Sequence, residues 1–426
     1  MSENNMLSEH YLTADELFQR IGLLLDMAGQ GSAMTNQLLH DTLVLLCGEA
    51  LSNSREAFGN LFSQVDYLCR HCRLRTADAA AVQKMRRDSN QRGTLSEEDL
   101  RYDCRALALF VAAVFGVDIP SSLVGRLPIG PQKMRKNGHA VDFRRIRCVI
   151  REVADSELTV VVDQSDGQNV VRVDYSKETY LQPLLHPGMQ LNLLDVEAGL
   201  VLHPRLIVLE PDFLVDISSL ARCFTDYGHH PLSYTVNRMA PAANSQAILL
   251  GQFAGNALDD IINQGENYKW STTFKRSFAE KALEYCTCQD LNSKENFKVA
   301  AMRQTQNIQQ IVDELFGQRV QPHLSGQAQT PQYDRHKAVL EPSFICEELG
   351  IQGRVDLMTT DFRMLVEQKS GSNYNIQQGR PNHFGSYQKE DHYVQLLLYY
   401  GVLDRNFRLA PGSIDIRLLY SKYALP

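Results

Sequence analysis

Gly353-Arg354-Val355-Asp356-Leu357-Met358-Thr359, followed after a short gap by Met364-Leu365-Val366-Glu367-Gln368-Lys369, decides how the C-terminal half of this chain is read. Both stretches have the texture of strands: the first belongs to a run over Ile345 to Thr359, the second to Phe362 to Lys369. Glu367 and Lys369 are two positions apart, so on a strand they leave the same face of the sheet. Asp356, in the neighbouring run, brings a second carboxylate to the same edge. Working outward, Lys389 to Leu403 has helical periodicity, and His392, Gln395 and Tyr399 share one side of it. Polar side chains on a buried helix face need partners, and a phosphate, a metal-bound water or the two carboxylates would satisfy them. Ile414 to Tyr420 closes the pattern as a strand. Upstream, Ala247 to Asn263, Ser271 to Thr287 and Asn292 to Phe316 read as helices. The whole is predicted to be an α/β sandwich.

Carboxylates with open water positions suit Mg²⁺, which is held by one or two protein carboxylates in phosphate chemistry. A nearby ammonium stabilises charge that develops on a phosphate under attack. The trio therefore points to metal-assisted phosphodiester hydrolysis. The competing reading is a solvated strand face with a surface ion pair worth little.

The rest of the chain has two other textures. Tyr11 to about Val117 is helical, with Ser96 ahead of the acidic Glu97-Glu98-Asp99 as a helix start. Pro120, Pro128 and Pro131 then mark a boundary. Val141 to Phe224 is rich in short β-branched runs: Ile146 to Val153, Leu158 to Asp163, Val170 to Tyr175, Met189 to Val196 and Leu200 to Leu209. A turn at Asp166-Gly167 and a short helix over Lys177 to Leu185 complete the order expected of an OB-like barrel. The expected class is thus α+β and multidomain: an N-terminal helical region (1–138), an OB-like β-barrel (139–225) and a C-terminal α/β domain (226–426). The polar stretch Gly371 to Gln388 is expected to be a loop.

Composition sets limits. At 426 residues, 44% apolar and 22% charged, the chain suits a globular protein of two or three domains. A formal charge of -7 argues against indiscriminate nucleic-acid binding and allows local basic patches. Nine cysteines, an odd number at uneven spacing, fit a reducing cytoplasm. Ala106 to Val117, the longest apolar stretch, is too short to span a bilayer, so no membrane association is expected.

The spelling Gly353-Arg-Val-Asp356, Glu367-Gln-Lys369-Ser-Gly371 and His392-x-x-Gln395-Leu-Leu-Leu-Tyr399 resembles the RecB-type branch of the PD-(D/E)XK nuclease superfamily. That branch includes the AddB nucleases and the nuclease half of Okazaki-fragment-processing nuclease–helicases, and the resemblance covers Ala247 to Tyr420. It implies a Mg²⁺- or Mn²⁺-dependent deoxyribonuclease acting on single-stranded ends or flaps. By the same resemblance Asp356 and Glu367 are metal ligands, with the Gln368 carbonyl completing the shell. Lys369 orients the attacking water and stabilises the phosphate. Gln395 and Tyr399 position substrate or lysine. Relatives carry a histidine on the first helix; here Gly251-Gln-Phe-Ala-Gly-Asn256-Ala-Leu-Asp259 offers Asn256 as the metal ligand, whose amide oxygen can bind Mg²⁺ or a metal-bound water but cannot do imidazole acid–base chemistry. Asp259 or Asp260 could compensate, and Glu341 also resembles a family position.

Several relatives hold an iron–sulfur cluster with cysteines, three of them after the last strand. No cysteine follows Cys346, so no cluster is expected. Cys69-x-x-Cys72 with His71, and Cys286-x-Cys288, each lack a second half at zinc-site spacing. Lys133, Arg135, Lys136, Arg144, Arg145, Arg147 and Arg151, with His392, are the candidate nucleic-acid contacts. Arg70, Arg73, Arg75, Lys84, Arg86 and Arg87 form a second basic group. No Gly-x-x-x-x-Gly-Lys-Ser/Thr loop occurs, so no ATP site is expected in this chain. A helicase partner, in a longer polypeptide or separate, follows from the resemblance. The alternatives are a catalytically inactive DNA-binding or scaffold module and a restriction-type endonuclease.

Overall fold

A computed structural model of the chain describes residues 12–28, 33–55, 58, 60–90, 94–132, 141–163, 170–225, 230, 232–241, 244–292, 296–317, 333–372 and 389–423. The chain divides into two compact units, Met1–Asp212 and Phe213–Pro426.

The first unit begins with helices α1 (Ala14–Asp26), α2 (Ala33–Leu51), α3 (Leu61–His71), α4 (Thr76–Ser89), α5 (Glu97–Phe115) and α6 (Ser121–Val124). Apolar residues at helical spacing turn into one core: Leu17, Ile21 and Leu24 of α1 meet Leu39 and Leu43 of α2 and Leu107 of α5, all fully buried. Ser96 caps α5 as expected, its hydroxyl accepting the Asp99 N–H at 3.0 Å.

Strands β1 (Arg145–Val153), β2 (Glu157–Val162), β3 (Val170–Asp174), β4 (Gln190–Leu194), β5 (Val201–Leu202) and β6 (Leu206–Leu209) form one sheet in the order β5-β3-β2-β1-β4-β6. It is an open mixed sheet, and the expectation of a barrel is corrected here. The segment expected to be one closing strand is two short ones. β5 pairs parallel with β3, β6 pairs antiparallel with β4, and 203–205 lie between them. Pro204 in that break has no N–H to donate, and His203 pairs instead with Glu197. The short helix expected over Lys177 to Leu185 is a 3-10 turn, Thr179–Leu184. The Asp166-Gly167 turn lies outside the described residues.

The second unit holds β7 (Val215–Asp216), α7 (Ile217–Ala221), α8 (Leu232–Met239), α9 (Gln246–Gln264), α10 (Trp270–Glu280), α11 (Ala282–Thr287) and α12 (Phe297–Phe316). These are followed by β8 (Ala338–Leu340), β9 (Ser343–Cys346), β10 (Ile351–Arg354), β11 (Leu357–Thr359), β12 (Met364–Lys369), α13 (Glu390–Phe407) and β13 (Asp415–Tyr420). Val215 and Asp216, read from sequence as part of the β-rich region, pair parallel with Ile351 and Gln352. The helix expected over Ser271 to Thr287 is two, broken where Lys281 leaves helical geometry. The strand expected over Ile345 to Thr359 is three pieces. Its last break falls at Val355-Asp356.

The main sheet has the order β13-β12-β11-β8. β12 is antiparallel to β11 and parallel to β13, and α13 makes the crossover that a parallel pair requires. Alternation along β12 sorts its side chains: Met364 and Val366 join the core under α9 and α12, and Leu365 joins the core under α13. Each such fully buried aliphatic contributes about 1.5–3 kcal/mol. The same alternation carries Glu367 and Lys369 to the α13 face. The fold is mixed α and β, as the sequence predicts at that coarse level.

Candidate active site

Glu367 follows three buried apolar residues on a central strand and is itself buried, with 4% of its surface exposed. Lys369 donates from Nζ to Glu367 Oε1 at 2.9 Å and to Gln395 Oε1 at 2.8 Å. Gln395, buried on α13, donates from Nε2 to the same Glu367 oxygen at 2.8 Å and to Tyr399 Oη at 3.4 Å. Tyr399 donates its hydroxyl to the Arg354 carbonyl at 2.7 Å. One turn of α13 separates Gln395 from Tyr399, so the chain from Arg354 through Tyr399 and Gln395 to Lys369 is braced by a single helix. Glu367 Oε2 is buried and has no hydrogen-bond partner among the described residues.

Asp356 stands in the break between β10 and β11. Its Oδ2 accepts the Gln368 backbone N–H at 2.6 Å, which ties it to β12 between Glu367 and Lys369. Burial raises the Asp356 pKa, against the pull of that N–H and of Lys369. Glu367 is pushed up to about 7, by burial first and then by the charge of Asp356. The two carboxylates therefore feel one another.

Close approach fixes Gly353 as glycine. A Cβ there would meet Tyr399 Cε1 at 2.7 Å and Ile217 at 3.1 Å. Arg354 pairs outward with Glu341 at 3.2 Å. Glu341 takes a left-handed φ of 49°, unusual for a non-glycine residue, and its N–H donates to the Asp356 carbonyl at 3.0 Å.

The first helix contributes differently from the sequence expectation. Asn256 turns its amide nitrogen to α10, to Ser277 Oγ at 2.8 Å and Glu280 Oε2 at 3.3 Å. Asp259 is the α9 side chain whose charge couples to this site. It is pushed up to about 6 by burial, then by Glu341 and Asp356. Asp260 is engaged in packing, accepting from Thr273 at 2.5 Å and Arg276 at 2.9 Å. Arg335 holds the C-terminus of α9 through the Ile261 and Ile262 carbonyls, where a cation suits the helix dipole.

His392 shares the α13 face but bonds Tyr420 Oη through Nδ1 at 3.1 Å. Burial, with Lys369 and Lys389 nearby, holds it down to about 3. The ring is neutral at physiological pH and brings no positive charge to a phosphate.

Two of the four described members of the basic group expected to track nucleic acid are held in ion pairs. Lys133, Arg135 and Lys136 lie outside the described residues. Arg147 pairs with Asp212, and Arg151 with Asp66 at 3.1 Å. Arg151 is the extra residue of a β-bulge in β1, which re-aims it toward α3. Arg86 pairs with Asp163 at 2.5 Å and lies over Phe62, which packs with Val149 and Val161. These arginines join the helices to the sheet. Arg70 also pairs with Asp66, Arg75 with Asp78, and Lys84 with Asp88. Arg144 is exposed, and Arg145 is half-buried at the start of β1.

No three His, Cys, Asp or Glu side chains among the described residues converge closely enough to form a ready ion cage. The orphaned oxygen of Glu367, a carboxylate coupled by charge to Asp356, nevertheless fits a hard divalent cation that keeps most of its waters. No described helix is long and apolar enough to cross a membrane. Comparison with protein-family models, with curated proteins and with solved structures found no match to this chain.

Proposed function

We propose that the second unit is a divalent-metal-dependent nuclease of the PD-(D/E)XK kind that hydrolyses DNA phosphodiesters. The observation that carries the reading is the sharing at Glu367. One oxygen receives Lys369 and Gln395, while the other is buried without a partner among the described residues, on a carboxylate that feels the charge of Asp356. The arrangement of helix, three antiparallel strands, crossover helix and parallel strand supports it.

Asp356 and Glu367 would hold Mg²⁺ or Mn²⁺, with a backbone carbonyl at Gln368. When bound, the ion would neutralise charge on the phosphoryl oxygens. Lys369 has three N–H donors, two of them used by Glu367 and Gln395. The third is left for a phosphate oxygen or the attacking water. Water oxygen bonds to phosphorus, the bond from phosphorus to one sugar oxygen breaks, and that oxygen takes a proton. Gln395 and Tyr399 keep the ammonium in place without touching substrate. A preference for single-stranded ends or flaps, and work beside a helicase, are proposed from the resemblance.

The test uses DNA labelled at either end, single- and double-stranded, with Mg²⁺ or Mn²⁺. Wild type should cleave, and Asp356→Ala and Lys369→Ala should lose roughly a hundredfold or more in rate. Equal cleavage by all three would assign the activity elsewhere. Binding without cleavage would leave a scaffold with a decayed site.

A further inference from the structure

We infer that Gln304, on the far side of the sheet, is a positioning residue for Lys369; the inference rests on the nuclease reading above. The β12–β13 ladder ends at the Lys369–Tyr420 pair. One further bond, from the Ser421 N–H to the Lys369 carbonyl at 3.0 Å, closes it. Glu367 lies inside the ladder and Lys369 at its last rung, so Lys369 is the member of the site most exposed to fraying.

A clamp from α12 sits at that end. Gln304, 3% exposed, donates from Nε2 to the Ser370 carbonyl at 3.1 Å. Its Oε1 accepts from Ser421 Oγ at 2.8 Å, and Ser421 is fully buried. Ser421 Oγ also lies 3.3 Å from the Lys369 carbonyl. Asn307, one turn along the same face, donates to the Ser421 carbonyl at 2.6 Å. Two amides of one helix thus bind carbonyls just past the ladder end, on both strands. α9 closes in as well: a Cβ on Gly251 would come within 3.0 Å of Ser370 Oγ.

The geometry separates backbone from side chain. α13 holds the Lys369 ammonium through Gln395 on one face, and α12 holds the Lys369–Ser370 backbone through Gln304 from the other. Removing Gln304 frees the strand end and displaces Nζ, while Asp356 keeps the Gln368 N–H and Glu367 keeps Gln395. Misplacement of a reacting group by about 1 Å costs on the order of a hundredfold in rate. A residue that merely stabilised the fold would not separate rate from ion binding.

The experiment measures single-turnover cleavage of an end-labelled oligonucleotide across a Mn²⁺ titration for wild type, Gln304→Ala and Ser421→Ala, below their melting temperatures. Gln304→Ala is expected to lower the rate at saturating Mn²⁺ by roughly tenfold to a hundredfold, with the half-saturating Mn²⁺ concentration and the oligonucleotide KM unchanged. Ser421→Ala, which deletes one hydroxyl, should show the same split and serves if Gln304→Ala does not fold. Adding it to Gln304→Ala should cost little more, because both act through one clamp. A wild-type rate in both variants, or a rate that falls together with Mn²⁺ affinity, overturns the inference. Absence of cleavage by wild type overturns the nuclease reading itself, a distinct result.

Discussion

Gly353 and Tyr399 show how closely single residues are fixed around the site. Because a Cβ at 353 would collide with the Tyr399 ring, Gly353→Ala should destabilise the protein by about 1–3 kcal/mol. Gly255, inside α9 with nothing within 4 Å of a Cβ, is the control: Gly255→Ala should stabilise by about 0.5–1 kcal/mol. Urea unfolding of both variants checks the pair, and equal effects would contradict the packing described. Tyr399→Phe leaves the Arg354 carbonyl without its donor and should cost about 1 kcal/mol, with a fall in cleavage rate and no change in Mn²⁺ requirement. At this scale the sequence was partly legible. Glu367 and Lys369 could be paired from their spacing, because strand geometry alone sets their face. Asp259 was harder to choose over Asn256, since three positions on a helix share a side and only packing against α10 decides which amide or acid turns away. Gln304 carries no pattern at all: a lone glutamine on an amphipathic helix announces nothing until the strand end it meets is known.

Between elements, α4 and α5 enclose charge that the sequence does not reveal. Asp103 on α5 is 2% exposed and its Oδ2 has no hydrogen-bond partner among the described residues. Lys84 lies 3.8 Å from its Oδ1, and Asp88 and Asp99 crowd the same lysine. Burial pushes Asp103 up to about 8; Lys84 opposes this, and the neighbouring carboxylates add to it. An unfolded chain loses that proton near pH 4, whereas the folded chain keeps it. From about pH 4 to about 8 the unfolded state binds fewer protons, so this group's contribution to stability falls as pH rises. Asp103→Asn should flatten that slope and raise the urea midpoint at pH 8 relative to wild type, with little change near pH 4. An unaltered slope would contradict the assignment. The breaks in elements follow the same lesson: Asp356 occupies an interruption that the apolar run conceals, and the 203–205 interruption left the first unit's sheet open.

Across the whole molecule, the described candidates for metal binding and catalysis, Asp356, Glu367, Lys369, Gln395 and Tyr399, fall in the second unit. A Phe213–Pro426 fragment should therefore retain metal-dependent cleavage, and the Met1–Asp212 fragment should have none; activity confined to the latter would contradict the account. The long helices α9, α12 and α13 and the six-residue strands β12 and β13 could be read from hydrophobic periodicity, whereas β7, β8 and β11, of two or three residues, are too short to show a period. The role of the basic group could not be read either. Charge is visible in sequence, but Asp66 is 85 positions from Arg151 and Asp163 is 77 from Arg86, and those partners hold one arginine from each basic group in an ion pair. The central claim is that Asp356 and Glu367 together hold a divalent ion beside Lys369. Electron paramagnetic resonance of Mn²⁺ titrated into wild type, Asp356→Ala and Lys369→Ala tests it most directly. The account predicts a bound-ion signal in wild type, its loss in Asp356→Ala and its retention in Lys369→Ala. The same Mn²⁺ binding in Asp356→Ala as in wild type would contradict it.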